Sequence, residues 1–184
     1  MENNLPDTLT DANQLCMGCG LCCTGHLFAH ARMKPDEAVK ADLLGLTAIK
    51  KEEQTIGFRQ PCHLWNGKCS IYDHPSKPYV CGSYRCNLLK KLIAQTVSLP
   101  EAMELTGQAK QLIAELEPML ETPSSESFLK RLLDQAAQLG PAANSSVSLE
   151  FRLKAGVILI FFKKHFSKRE YKTPEELNDE ETTP

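Results

Sequence analysis

The chain places all eight of its cysteines between Cys16 and Cys86 and none in residues 87–184. The densest stretch, Cys16-Met-Gly-Cys19-Gly-Leu-Cys22-Cys23, reads C-x2-C-x2-C-C. Cys62, Cys69, Cys81 and Cys86 follow. Cysteine used merely as a small buried apolar residue has no reason to crowd in this way. Three kinds of chemistry do: a metal or iron–sulfur site, a disulfide framework, or thiol redox chemistry. C-x2-C spacing lets two thiolates from one turn reach one metal. Gly18 and Gly20 free the backbone to wrap around an ion. They also bring N–H groups toward sulfur, and such hydrogen bonds tune a cluster's potential.

The x2, x2 spacing resembles the run that holds most of a bacterial-type 4Fe–4S cluster. Its fourth cysteine, followed by proline, is missing; Cys23 directly follows Cys22 instead. Adjacent side chains diverge, so this pair reaches one centre only through an unusual turn, or serves two neighbouring sites. Downstream, a turn at Asn66-Gly67 is expected to bring Cys62 and Cys69 together. Cys81 and Cys86 lie close to one helical turn apart, so both can face inward. The metal-ligand candidates are therefore Cys16, Cys19, Cys22, Cys23, Cys62, Cys69, Cys81 and Cys86. They suffice for two four-coordinate sites, or for one cluster and a reserve pair.

The N-terminal Met1-Glu-Asn-Asn-Leu-Pro-Asp has neither the basic nor the apolar region of a secretory signal. The expected location is cytoplasmic, where thiols stay reduced and clustered cysteines bind metal more often than they pair. Iron–sulfur is the preferred cofactor. Zinc, whose four-ligand sites have looser spacing rules, is the alternative.

Further motifs extend the pattern: Pro61-Cys62-His-Leu64, Gly67-Lys-Cys69-Ser-Ile71-Tyr72 and Lys77-Pro78-x2-Cys81-x2-Tyr84-x-Cys86. In this order they resemble the CxxCxxCC cysteine-cluster family, also called the YkgJ-like zinc- or iron-chelating domain. The resemblance covers about residues 16–90. Family members commonly carry Arg-Pro where this chain has Lys77-Pro78, and often Arg where it has Gly82, so a role for those arginines is not carried over. The family includes flagellin lysine methylases, whose cysteine cluster resembles an iron–sulfur site. The resemblance thus implies a metal-binding protein with a redox or accessory role. A zinc-stapled structural or interaction module is the alternative, and a methyltransferase-like enzyme a weaker one. No S-adenosylmethionine- or phosphate-binding loop stands out, so no catalytic residue is assigned.

The other candidates are weaker. His26 and His30 share a face whether the segment is helix or strand, and His63 and His74 neighbour cysteines; hydrogen-bonded or surface histidines explain them more simply. A net charge of −2 gives no pull toward nucleic acid or anionic membrane. The longest apolar run, Ala155–Phe162, falls short of the about 20 residues that span a bilayer. Arg152, Lys154, Lys163, Lys164, Lys168 and Arg169 are read as lysines and arginines snorkelling from a core helix and its end rather than as a membrane contact. A protein partner is left open.

These residues need elements to position them. Residues 1–15 read as loose, 16–92 as the cysteine module, 98–168 as helical and 169–184 as a loose acidic tail. The module contains strand signals at 26–33 and 55–58, a short helix from Lys34 to Gly45, and helix from Val80 to Lys91. It is poor in large aliphatics, and a small core of this kind calls for a staple such as a metal. Ser98-Leu-Pro-Glu101 is a capping box, followed by a stripe at Leu105, Ala109, Leu112, Leu116 and Leu120. A second helix over 124–139 carries Phe128, Leu129, Leu132, Leu133 and Ala136. A third over 149–168 carries Leu149, Leu153, Val157, Ile160 and Phe161. The expected fold is α-rich with minimal β: an irregular metal-bound module with a short hairpin, packed on three C-terminal helices.

Overall fold

The structure, a computed structural model, describes residues 8–51, 54–121, 125–139 and 145–167. It is α-rich with one small antiparallel sheet, as the sequence predicts. The helices are α1 (Thr8–Cys19), α2 (Ala38–Leu43), α3 (Tyr79–Ser83), α4 (Asn87–Ile93), α5 (Leu99–Leu116), α6 (Phe128–Gln138) and α7 (Ser146–His165). The strands β1 (His30–Arg32), β2 (Ala48–Lys51) and β3 (Gln54–Arg59) form a sheet of order β1-β3-β2. The helix expected from Lys34 is a 3-10 turn, Pro35–Glu37, running into α2, and Gly45 follows at a φ of +67°.

The three long C-terminal helices each begin on a serine cap. Ser98 Oγ accepts from the Glu101 N–H, and Glu101 Oε2 accepts from the Ser98 N–H at 2.7 Å, closing the predicted capping box. Ser127 Oγ accepts from the Lys130 N–H and Ser145 Oγ from the Ser148 N–H. Pro118 stops α5, whose end tightens into a 3-10 turn at Glu117–Met119.

Two of the expected stripes are displaced. The buried face of α5 is Ala102, Thr106, Ala109, Ile113 and Leu116, with Leu105 and Leu112 half-buried at its edge. On α7 the core side is Phe151, Ala155, Ile158, Leu159 and Phe162; Leu149, Leu153, Val157 and Ile160 face solvent. The reason is that α7 carries apolar residues on two faces, so periodicity alone offers two possible core faces. The larger aromatics decide, because Phe151 and Phe162 bury the most area, and Ala155 lets α5 and α7 approach closely.

The module and the helices share one core. Leu15 of α1, Leu21 and Leu27 of the following loop, Leu88 of α4, and the inner faces of α5, α6 and α7 form a single cluster. α1 begins at Thr8 and buries Ala12 and Leu15, so residues 8–15 are ordered helix rather than a loose leader. Residues 1–7, Gly140-Pro141, the last residue of the expected third helix (Lys168) and the acidic tail 169–184 lie outside the described residues. A second, smaller cluster of Met33, Ala41, Leu46 and Phe58 sits under the sheet.

The turn at Asn66-Gly67 is present, with Gly67 at a φ of +73° and the Asn66 N–H donating to the Lys68 carbonyl. Its flanks form a single bridge, Trp65 to Cys69, and not strands. The hairpin of the sheet is β2–β3. The helix expected over 80–91 is two helices, α3 and α4, because Tyr84 and Cys86 both take extended backbone angles.

Candidate metal centre

Cys16 and Cys19 stand three residues apart on the last turns of α1, on one side of the helix. The chain then turns back on itself at Gly20. Thr24 N–H donates to the Gly20 carbonyl at 2.9 Å and His26 N–H to the Leu21 carbonyl at 3.0 Å. Buried Leu21 and Leu27 pin this loop to the core, and Leu129 N–H donates to the Gly25 carbonyl, tying it to the first turn of α6. Cys22 and Cys23 are held inside it.

Gly20 has a structural reason beyond its φ of +71°. A Cβ there would stand 2.1 Å from Cζ2 of Trp65, so the indole lies directly on the bare backbone. Trp65 does more than pack its own turn; it clamps that turn to the C-x2-C loop. A second clamp is the Cys62 N–H, which donates to the Cys23 carbonyl at 2.7 Å.

The remaining cysteines arrive separately. Cys62 packs on the smaller cluster beneath the sheet, together with Val80. Cys69 pairs with Trp65 across the turn. Cys81 lies on α3, whose first N–H, from Tyr79, donates to Oε1 of Glu37 at 2.6 Å. Cys86 is not on the same helical face as Cys81; it caps α4, and its Sγ accepts from the Leu89 N–H. Cys19, Cys22 and Cys86 all pack on the main core.

All eight cysteines are free thiols. Burial is the first cause of raised thiol pKa values throughout. It pushes Cys19 up to about 11 and Cys81 up to about 12, and raises Cys16, Cys22, Cys23, Cys62 and Cys86. Neighbouring sulfurs add to this, and their identities divide the set. The thiols acting most strongly on Cys22 are Cys19 and Cys86; those acting most strongly on Cys23 are Cys69, Cys62 and Cys81. Cys16 lies between, close to Cys69 and also felt by Cys19 and Cys86. Opposing these shifts are backbone N–H groups, from Leu21 to Cys19, from Leu64 to Cys62 and from Leu88 and Leu89 to Cys86. The cations Lys77 and Arg85 also favour the Cys16 thiolate.

This donor set suits a thiophilic metal. The sulfurs are crowded, and a cation would relieve the repulsion between their thiolates. Among the described residues, no three His, Cys, Asp or Glu side chains stand in position as a finished ion cage. Among the histidines near the cysteines, two are engaged in other contacts and a third lies beside a glycine. His26 contacts Thr24 and packs on Phe128, His74 Nδ1 accepts from the Ser76 N–H, and His63 lies beside Gly45.

A family model named CxxCxxCC, described as "Putative zinc- or iron-chelating domain", matches residues 15–106, half of the chain. The chain belongs to the CxxCxxCC family. It contains the whole thiol constellation and the first turns of α5 within the matched stretch, so zinc- or iron-chelating metal binding follows from the membership. No curated protein and no solved structure matches the chain. Among the described residues, no helix is long and apolar enough to cross a membrane.

Sequence reasoning missed the supports. Glu37 is buried although charged, and its carboxylate holds both the Lys34 and Tyr79 N–H groups. Thr106, buried on α5, places its hydroxyl against Cys19. Lys77 is bound to the Tyr72 carbonyl and lies over the Tyr72 ring at 4.4 Å. Only Lys77 carried a usable signal, its place before Pro78 in the cysteine motif.

Proposed function

We propose that the CxxCxxCC chain carries its metal as iron–sulfur, in a redox or accessory role, and that its thiols divide into two sets. One set is Cys16, Cys19, Cys22 and Cys86; the other is Cys23, Cys62, Cys69 and Cys81. The observation that carries the division is the opposite allegiance of the adjacent Cys22 and Cys23. The first neighbours Cys19 and Cys86 on the main core, and the second neighbours three thiols brought by the sheet side and α3. Cys16 joins Cys19 because the two share a helix face one turn apart.

Iron–sulfur is supported by the all-sulfur donor set and by the N–H groups directed at the sulfurs of Cys19, Cys62 and Cys86. Such hydrogen bonds set cluster potentials. A bound cluster supplies one-electron transfer. This chain's residues do the rest: the loop at Gly20 and the cap at Cys86 orient thiols, and the main core shields one side of Cys22.

Zinc is the second reading, favoured by Cys16 and Cys81, which reach the surface although protein surrounds most of each thiol. A redox-inert ion at the rim is less open to oxidation than a cluster, and four-thiolate zinc sites are structural staples. Purification without air, followed by iron, acid-labile sulfide and zinc analysis with a visible spectrum, separates the two. Iron with sulfide and broad visible absorption is expected. A colourless protein with stoichiometric zinc overturns the iron–sulfur reading and leaves the two sets standing.

A further inference from the structure

The last turn of α1 lies along one face of α5. Met103, Thr106 and Lys110 stand three and four residues apart, so they share that face. The outer two both reach Gly18. A Cβ there would stand 3.5 Å from Cε of Met103, and Lys110 Nζ donates to the Gly18 carbonyl at 2.9 Å. Thr106 lies between them, 2% exposed, with its hydroxyl against the next residue of α1, Cys19. The neighbouring buried positions on α5 are Ala102 and Ala109, so packing alone asks for a small side chain here and for no hydroxyl.

Thr106 has one hydroxyl proton and two places to put it. In the structure Oγ1 donates to the Ala102 carbonyl at 3.0 Å. That carbonyl lies one helical turn back in α5, where the helix ladder already supplies it with the Thr106 N–H. The hydroxyl is therefore a second donor on an acceptor that lacks nothing. The Cys19 sulfur is the other acceptor within reach, and it already faces the Leu21 N–H. A neutral thiol accepts weakly. A metal ligand is a thiolate, and hydrogen bonds to an ionised acceptor are roughly twice as strong as those between neutral groups. Binding of metal at Cys19 thus reverses the order of the two acceptors.

We propose that Thr106 is a positioning residue of the metal centre: its hydroxyl turns from the Ala102 carbonyl to the sulfur of metal-bound Cys19 and stabilises the more negatively charged state of that centre. This rests on the reading of Cys19 as a metal ligand, and it holds for either metal. With a cluster, the added donor favours the reduced state and raises the potential. With zinc, it favours the bound thiolate and tightens the metal.

Two variants of the full-length, metal-loaded protein separate the hydroxyl from its packing. Thr106→Val keeps the shape and removes the hydroxyl; Thr106→Ser keeps the hydroxyl and removes the methyl group. Both should retain the wild-type circular dichroism. In iron-loaded protein the readout is a redox titration followed by visible absorption. Thr106→Val should shift the one-electron equilibrium of the Cys19 centre about tenfold toward the oxidised state, a fall of about 59 mV, and Thr106→Ser should stay at the wild-type value. In zinc-loaded protein the readout is competition with a chromophoric chelator. Thr106→Val should weaken the zinc held by Cys19 about tenfold, in line with the loss of one hydrogen bond to a charged group, and Thr106→Ser should not. Wild-type behaviour of Thr106→Val overturns the proposal. So does an equal change in Thr106→Ser, which would mean that Thr106 acts through packing. The metal found decides the iron–sulfur reading separately: stoichiometric zinc ends that reading, and the chelator competition still decides the role of Thr106.

Discussion

The backbone N–H of Cys62 donates to the carbonyl oxygen of Cys23 at 2.7 Å. This one bond stitches the chain leaving β3 to the loop leaving α1. It brings a thiol from the small core beneath the sheet to the second member of the vicinal pair, while the first member stays on the main core. Two adjacent residues thereby belong to two different surroundings.

That division predicts how metal is lost. Cys22→Ser, Cys19→Ser and Cys86→Ser should each remove one centre and leave the other, cutting metal per chain by about half. Cys23→Ser, Cys62→Ser and Cys81→Ser should remove the opposite centre. Structural zinc binding in small peptides is worth about 10–16 kcal/mol, so loss of either centre should also lower the unfolding temperature measurably. Metal analysis on the six proteins, with spectra, reads the pattern. If each substitution emptied the protein completely, one shared centre would replace the two sets.

Gly20 and Trp65 form the second clamp, and it predicts a dependence between the two positions. Gly20→Ala should cost about 1–3 kcal/mol for overpacking and about 1–2 kcal/mol for the left-handed backbone, because the added Cβ lands 2.1 Å from the indole at a φ of +71°. In a Trp65→Ala background the overpacking part should vanish and only the backbone part remain. Urea unfolding of the four proteins measures this. An equal cost in both backgrounds would show that the indole is not what excludes a side chain.

What the sequence made legible followed from local rules. The serine cap at Ser98 and the turn at Gly67 are each decided by a few adjacent residues, and both are found where those residues put them. The cysteine spacing likewise identified the family. The errors arise where distant residues decide. On α7, choosing the core face requires knowing that α5 offers Ala102 and Ala109 to pack against. The first N–H of α3 is held by the Glu37 carboxylate, which lies 42 residues before Tyr79. The allegiance of Cys22 and Cys23 depends on a loop closed by Cys62 and Trp65, and spacing alone carries no trace of it.

Glu37 supports Cys81 without lying in the cysteine motif. Its two carboxylate oxygens accept from the Lys34 and Tyr79 N–H groups at 3.0 and 2.6 Å, and the residue is 7% exposed. Glu37→Ala leaves two part-buried N–H donors without their acceptor, at a cost of at most about 1–3 kcal/mol. Glu37→Gln retains one acceptor and should cost less. Both should lower metal occupancy in the Cys23 set before the Cys22 set, since α3 carries Cys81. Metal content and thermal unfolding of the two variants test this; equal loss from both sets would remove Glu37 from a positioning role.

His26 sets an acid limit on stability. Burial lowers its pKa from 6.5 to about 4, against a smaller opposing pull from Glu117 and with Arg131 and Lys110 adding to the depression. Its ring lies against Phe128 at 5.2 Å and contacts the Thr24 hydroxyl. The folded pKa is below the unfolded one, so the unfolded chain binds the extra proton between these values. Stability from this group is therefore complete above about pH 6.5 and is lost as pH falls toward about 4. At about 1.36 kcal/mol per pKa unit, the ceiling is about 3 kcal/mol. His26→Gln does not titrate here, while protonation of the thiols acts on both proteins alike. The stability of the wild type relative to His26→Gln should then fall steadily between pH 7 and pH 4, measured from urea midpoints across that range. A difference that stays flat would mean that His26 protonates in the folded protein as readily as in the unfolded chain.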